Sequence, residues 1–167
     1  MSGVAAGWML GVLELAGLFG GLSAGWISDL KSNGRRGPVM TAYMLILTAA
    51  IASLWFAPAG NKAVIAVAIA ACGFFVYGPL MLVSVAAAGY VGPELAGSAS
   101  GLAGLFGYIG ATLAGAGLGA TAEHAGWPAV FALLIGSALL SAVCFAFTAR
   151  APAATDLQYE THESSKT

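Results

Sequence analysis

The sequence predicts an all-α integral membrane protein with five transmembrane helices. Three observations carry this. Hydrophobic residues make up 59% of the chain and charged residues only 8%, against roughly 25% charged in a soluble domain. Five separate segments are apolar for the roughly 20 residues that a helix needs to cross a bilayer. Basic residues gather at the ends of those segments and avoid their interiors.

The first segment covers about 4–27 and carries no basic stretch ahead of it, so it reads as a span and not as a cleaved signal. A polar loop over 28–37 follows, with Asp29, Lys31, Arg35 and Arg36. The second span covers about 38–56 and stops at Pro58 and Gly60. The third covers about 63–86 and contains Gly78 and Pro79. A short loop with Pro93 and Glu94 leads to the fourth, about 98–120. The loop from Glu123 to Pro128 precedes the fifth, about 129–149, and Pro128 suits the first turn of that helix. Residues 1–150 thus read as one helical bundle. Residues 151–167 turn polar, with Asp156, Glu160, Glu163 and Lys166, and read as a disordered tail.

Three of the six Lys and Arg residues lie in the loop after the first span, and Arg150 closes the fifth. An even number of spans separates them, so they share one side, which the positive-inside rule makes cytoplasmic. The expected placement is a cell (inner) membrane, with the N-terminus outside and the tail inside. A net charge of -1 offers no basic field for nucleic acid. Cys72 and Cys144 sit in apolar runs without metal-ligand spacing. Cys, His and Ser show no nucleophile-base arrangement, so neither an enzyme nor a cofactor is expected.

Several residues break the apolar pattern. Glu14 lies mid-span, where an ionised group costs roughly 3 kcal/mol. It must face a cavity or find a partner, and no Lys or Arg lies inside any span. Tyr77 precedes Gly78 and Pro79. Proline there removes a backbone hydrogen bond and bends the helix, and bent transporter helices often line the central cavity. Tyr108 stands among glycines and either faces that cavity or bonds a neighbouring helix. Glycines at four-residue steps (Gly3, Gly7, Gly11; Gly17, Gly21, Gly25; and in the fourth span Gly97, Gly101, Gly115, Gly119) lie on one helix face, where backbones approach closely. They fit either plain bundle packing or a pair of helices that slide in a transport cycle. Trp8, Trp26, Trp55 and Trp127 fall near span ends, as interfacial anchors do. The stretch Gly25, Asp29, Gly34, Arg35, Arg36 ends one helix and turns tightly into the next. An Asp there can pair with Arg and a helix N-terminus to latch one conformation.

That stretch resembles the signature loop of the major facilitator superfamily. Its greater length between the Asp and the basic turn resembles the organophosphate:phosphate antiporter family, which includes glycerol-3-phosphate and hexose-phosphate transporters and a hexose-phosphate sensor. Further stretches agree: Leu13-Glu14 to Gly17, Phe75 to Met81 through Tyr77-Gly78-Pro79, Gly97 to Gly110 through Tyr108, and His124 to Trp127. Ala88-Gly89-Tyr90 departs from relatives that carry a Glu before the loop. The resemblance implies that the five spans are helices eight to twelve of a twelve-helix fold. It implies a transporter fragment that exchanges a phosphate ester, such as hexose phosphate or glycerol-3-phosphate, for inorganic phosphate by alternating access. A transporter-like sugar-phosphate sensor and an inactive membrane subunit are the alternatives. The family's phosphate-gripping arginines lie on helices one and seven, so the chain needs helices one to seven as partners besides the bilayer. Tyr77, Tyr108 and Glu14 match cavity residues of the family, and Gly25, Asp29, Gly34, Arg35 and Arg36 match its latch.

Overall fold

A computed structural model describes residues 3–31, 36–58, 61–91 and 93–148. The elements are α1 (Gly3–Lys31), α2 (Arg36–Trp55), α3 (Lys62–Val91) and α4 (Ala96–Thr148). All four are long and apolar enough to cross a membrane. At about 1.5 Å per residue, the 29 residues of α1 reach roughly 43 Å, well past a hydrocarbon core of about 30 Å. The helices overrun the expected spans because nothing in the flanking residues stops them. The expected loop over 28–37 is shortened from both sides: Ser28 to Lys31 complete the last turn of α1, and Arg36 already opens α2.

The 53-residue run of α4 is not one straight rod. Gly126 has φ 77° and ψ 174°, a backbone conformation essentially reserved for glycine. Pro128 follows it, with its fixed φ and missing N–H suited to a first turn. The expected loop from Glu123 to Pro128 is therefore reduced to a break at Gly126, with helix running up to it and away from it. At the other short connection, Asn61 caps α3 by accepting the Val64 N–H at 3.3 Å.

Packing is uneven. One apolar cluster joins Ala24 of α1, Val39, Met40 and Tyr43 of α2 and Leu82 of α3. A second joins Met44, Leu47 and Ile51 of α2 to Ala138 and Ala142 of α4, beyond the break. Phe75 and Phe145 touch both clusters and tie them into one core. The Trp55 ring stacks on Phe131, 6.0 Å between centroids, and holds the end of α2 against α4. The outward side chains are large and apolar, among them Trp8, Leu18, Phe19, Leu22 and Phe147. On a water-soluble protein so wide an apolar surface would drive association; on a membrane protein it meets lipid or further helices.

The tightest junction is α1 against α3. A Cβ added at Gly20 would overlap the backbone of Phe74, and one at Gly73 the backbone of Leu13. Each helix thus presses its backbone into the other's glycine, the close approach that small residues permit in membranes. The contacting glycines of α1 are Gly17, Gly20 and Gly21, whereas nothing lies within 4 Å of a Cβ built at Gly3, Gly7, Gly11 or Gly25. The four-residue stripes are used only in part, and the α1 stripe meets α3, not α4. Helices α1 and α4 make no contact, so the two glycine-striped helices are not a packed pair in this structure.

Candidate functional site

The α1–α3 junction places the mid-span carboxylate. Gly17 has no side chain, and the Tyr77 ring lies in the space left there; a Cβ on Gly17 would overlap that ring. Glu14 sits one turn earlier on the same face of α1. The Tyr77 hydroxyl donates to Glu14 Oε2 at 2.5 Å. A hydroxyl-to-carboxylate bond is among the stronger neutral-donor hydrogen bonds, and it offsets part of the cost of holding Glu14 at that depth. The expected pairing problem of Glu14 is thus met within the chain, by a donor on another helix and not by a cation.

Glu14 is exposed and Tyr77 half-buried, so the bonded pair lies at the bundle surface. The structure therefore brings Glu14 and Tyr77 into direct contact. Tyr108, on α4, is 79% exposed. Glu14 and Tyr77 form a patch of one phenol and one carboxylate on an otherwise apolar surface. Such a patch offers a donor and an acceptor to a polar solute but holds no positive charge.

The kink residues take a different place. Helix α3 continues through Pro79. Pro79 and Gly78 are both buried. Gly78 lies on a neighbouring face of α3, against the ring of Tyr43 and the Cβ of Ala24. The proline withdraws a donor from the Phe75 carbonyl, so the backbone is weakened where side packing is densest. Sequence reading missed Tyr43 and its hydrogen-bonded partner Ser23. The available signal was a phenol and a hydroxyl in the middle of two apolar runs.

Of the latch residues, Asp29 is exposed in the last turn of α1, Gly25 is half-buried one turn earlier and Arg36 opens α2. Gly34 and Arg35 lie outside the described residues. An acidic group at a helix C-terminus and a basic one at an N-terminus both oppose the dipole of their own helix, by about 0.3–1 kcal/mol each. Their own helices give no reason for these charges, which are suited to a partner elsewhere. Ser28, between Gly25 and Asp29, is fully buried, and its Oγ has no hydrogen-bond partner among the described residues. Among the described residues no group of three or more His, Cys, Asp or Glu side chains gathers as a metal site would require.

Comparison with known proteins adds a family. The model of the Major Facilitator Superfamily matches residues 1–165. A probable hexose phosphate transport protein of Chlamydia pneumoniae is 39% identical over 143 residues, 85% of this chain and 31% of the relative. The membrane sensor protein UhpC of Salmonella typhimurium is 37% identical over 163 residues, 96% of this chain and 36% of the relative. A glycerol-3-phosphate transporter of Bacillus subtilis is 37% identical over 142 residues, 84% of this chain and 32% of the relative. The chain thus spans about a third of the length of the curated relatives it matches. No solved structure matches it.

Proposed function

This chain belongs to the Major Facilitator Superfamily, and from that premise we propose that it forms helices eight to twelve of an organophosphate:phosphate antiporter. In this reading α4 crosses the membrane twice, on either side of Gly126, which makes five spans. The N-terminus lies outside, residues 1–150 form the membrane bundle and 151–167 a cytoplasmic tail, in a cell (inner) membrane. Helices one to seven, with the arginines that hold phosphate, come from the rest of the transporter. Tyr77, Tyr108 and Glu14 line the organic side of the pocket. Gly25, Asp29, Gly34, Arg35 and Arg36 latch the cytoplasmic face, and Gly78 and Pro79 give α3 its bend. No catalytic residue, metal or cofactor is part of this reading.

The observation that supports it best is the hydrogen bond from Tyr77 to Glu14. A carboxylate kept at mid-span by one phenol and open on its other side marks a functional position more readily than a structural one. The patch lacks positive charge, and this agrees with arginines arriving from other helices. A phosphate ester would put its phosphate on those arginines and its sugar or glycerol hydroxyls on the phenols. Alternating access then needs a second bundle to rock against this one.

Uptake of radiolabelled phosphate into vesicles tests the proposal. We expect none with this chain alone. With helices one to seven of a transporter such as the Bacillus subtilis relative co-expressed, we expect uptake that hexose phosphate or glycerol-3-phosphate competes. A correctly inserted pair that stays silent would sink the transport reading. It would favour a sensor, which the 37% identity to a membrane sensor protein over 96% of the chain also supports.

A further inference from the structure

The burial of Gly78 against Tyr43 was not anticipated from sequence, and it gives α3 a defined support beside Pro79. Proline at position 79 leaves the Phe75 carbonyl without its helical donor. A helix weakened at one hydrogen bond takes its local direction from what packs on it. Tyr43 is what packs there. Its ring is 5% exposed and occupies the notch at Gly78, where an added Cβ would overlap it. It stacks with Phe74 at 6.2 Å between centroids and meets Phe75 edge-on at 5.3 Å. Its hydroxyl is 2.9 Å from Ser23 Oγ on α1. Tyr43, itself on α2, is thereby held by both α1 and α3.

Residue 77 is the immediate neighbour of that notch and points about 100° away around α3, onto Gly17 and Glu14. A displacement of the α3 backbone at Gly78 must therefore move Tyr77 relative to α1. The bond to Glu14 tolerates little such movement, since hydrogen bonds weaken steeply with distance and angle. We propose that Tyr43 is a positioning residue: by filling the Gly78 notch it fixes α3 so that Tyr77 reaches Glu14. Tyr43 is buried behind α3, so it acts through Tyr77. The importance of this for solute handling rests on the transport reading above, whereas the geometric claim stands apart from it.

The test uses the full chain in lipid nanodiscs with fluorine-labelled tyrosines. Loss of one resonance in Tyr77→Phe assigns Tyr77, and Glu14→Gln gives its shift with the bond altered. We expect Gly78→Ala to move the Tyr77 resonance towards its Glu14→Gln position. Adding Tyr43→Leu, which vacates the notch, should return it towards the native position. Tyr43→Ala alone, which leaves the notch empty, should broaden or split the Tyr77 signal, and it keeps the test sharp if Gly78→Ala does not fold. A Tyr77 resonance unmoved in both Gly78→Ala and Tyr43→Ala overturns the proposal. In the co-expressed pair, Tyr43→Phe keeps the ring and should leave KM for the phosphate ester within about twofold, whereas Tyr43→Ala should raise it more than kcat falls. Moved resonances with unchanged kinetics would uphold the geometry and remove Tyr77 from the pocket.

Discussion

Helix α1 and the first half of α4 carry similar glycine stripes and fare differently. In α1, Gly17, Gly20 and Gly21 are buried against α3, with backbone on backbone at Gly20. In α4, glycines 97, 101, 104, 107, 110, 115, 117 and 119 have nothing within 4 Å of an added Cβ. Leu102, Leu105, Phe106, Tyr108 and Leu113 on the same stretch are all more than half exposed. The Ser100 hydroxyl, which donates to the Ser84 carbonyl at 3.1 Å, ties its start to α3. A small-residue stripe is thus a capacity for close packing and not proof of it. One stripe is used in part within this chain; the other has nothing within 4 Å of its added Cβ atoms among the described residues.

The comparison is broken most directly by adding side chains to each region. Gly20→Leu should cause the largest loss. Even modest overpacking costs about 1–3 kcal/mol, and here the obstacle is backbone that cannot rotate away. Folding in bicelles, followed by steric trapping, should show an unstable α1–α3 junction. Gly126→Ala comes next. It forces a side chain into a glycine-only conformation at about 1–3 kcal/mol and should loosen α2 from the second half of α4, seen as faster exchange of Ala138 and Ala142 amides. Tyr77→Phe is smaller: it removes one hydrogen bond and leaves Glu14 without that donor, a loss of about 1–2 kcal/mol in the same trapping measurement. Gly107→Ala should be the mildest and opposite in sign, a gain of up to about 1 kcal/mol from helix propensity alone. If the co-expressed pair instead loses stability with Gly107→Ala, an added helix seats on the α4 stripe, and the comparison gains its missing half.

Much of the fold was legible because apolar length and charge placement are properties of the chain. The apolar helices and the anomalies at Glu14, Tyr77 and Tyr108 could all be picked out by residue type. Boundaries were less legible, since helices run on until something stops them: Ser28 to Lys31 continue α1, and α3 passes through Pro79. The candidate residues could be named from sequence, but not the bond that joins Glu14 to Tyr77. Glu14 and Tyr77 are 63 positions apart, and nothing local says that the carboxylate of one helix meets the phenol of another. Tyr43 was overlooked for the same reason, because a tyrosine in an apolar run looks alike whether it faces lipid or fills a notch.

By itself, the sequence determined that this chain must live in a bilayer, as helices, with a carboxylate that needs a partner. Those are statements about transfer from water and about backbone hydrogen bonding, and composition fixes both. Only the tertiary structure decided which glycines touch, which way Gly78 faces and what holds Glu14. Those depend on the rotation and height of one helix against another, set by interlocking surfaces far apart in the chain.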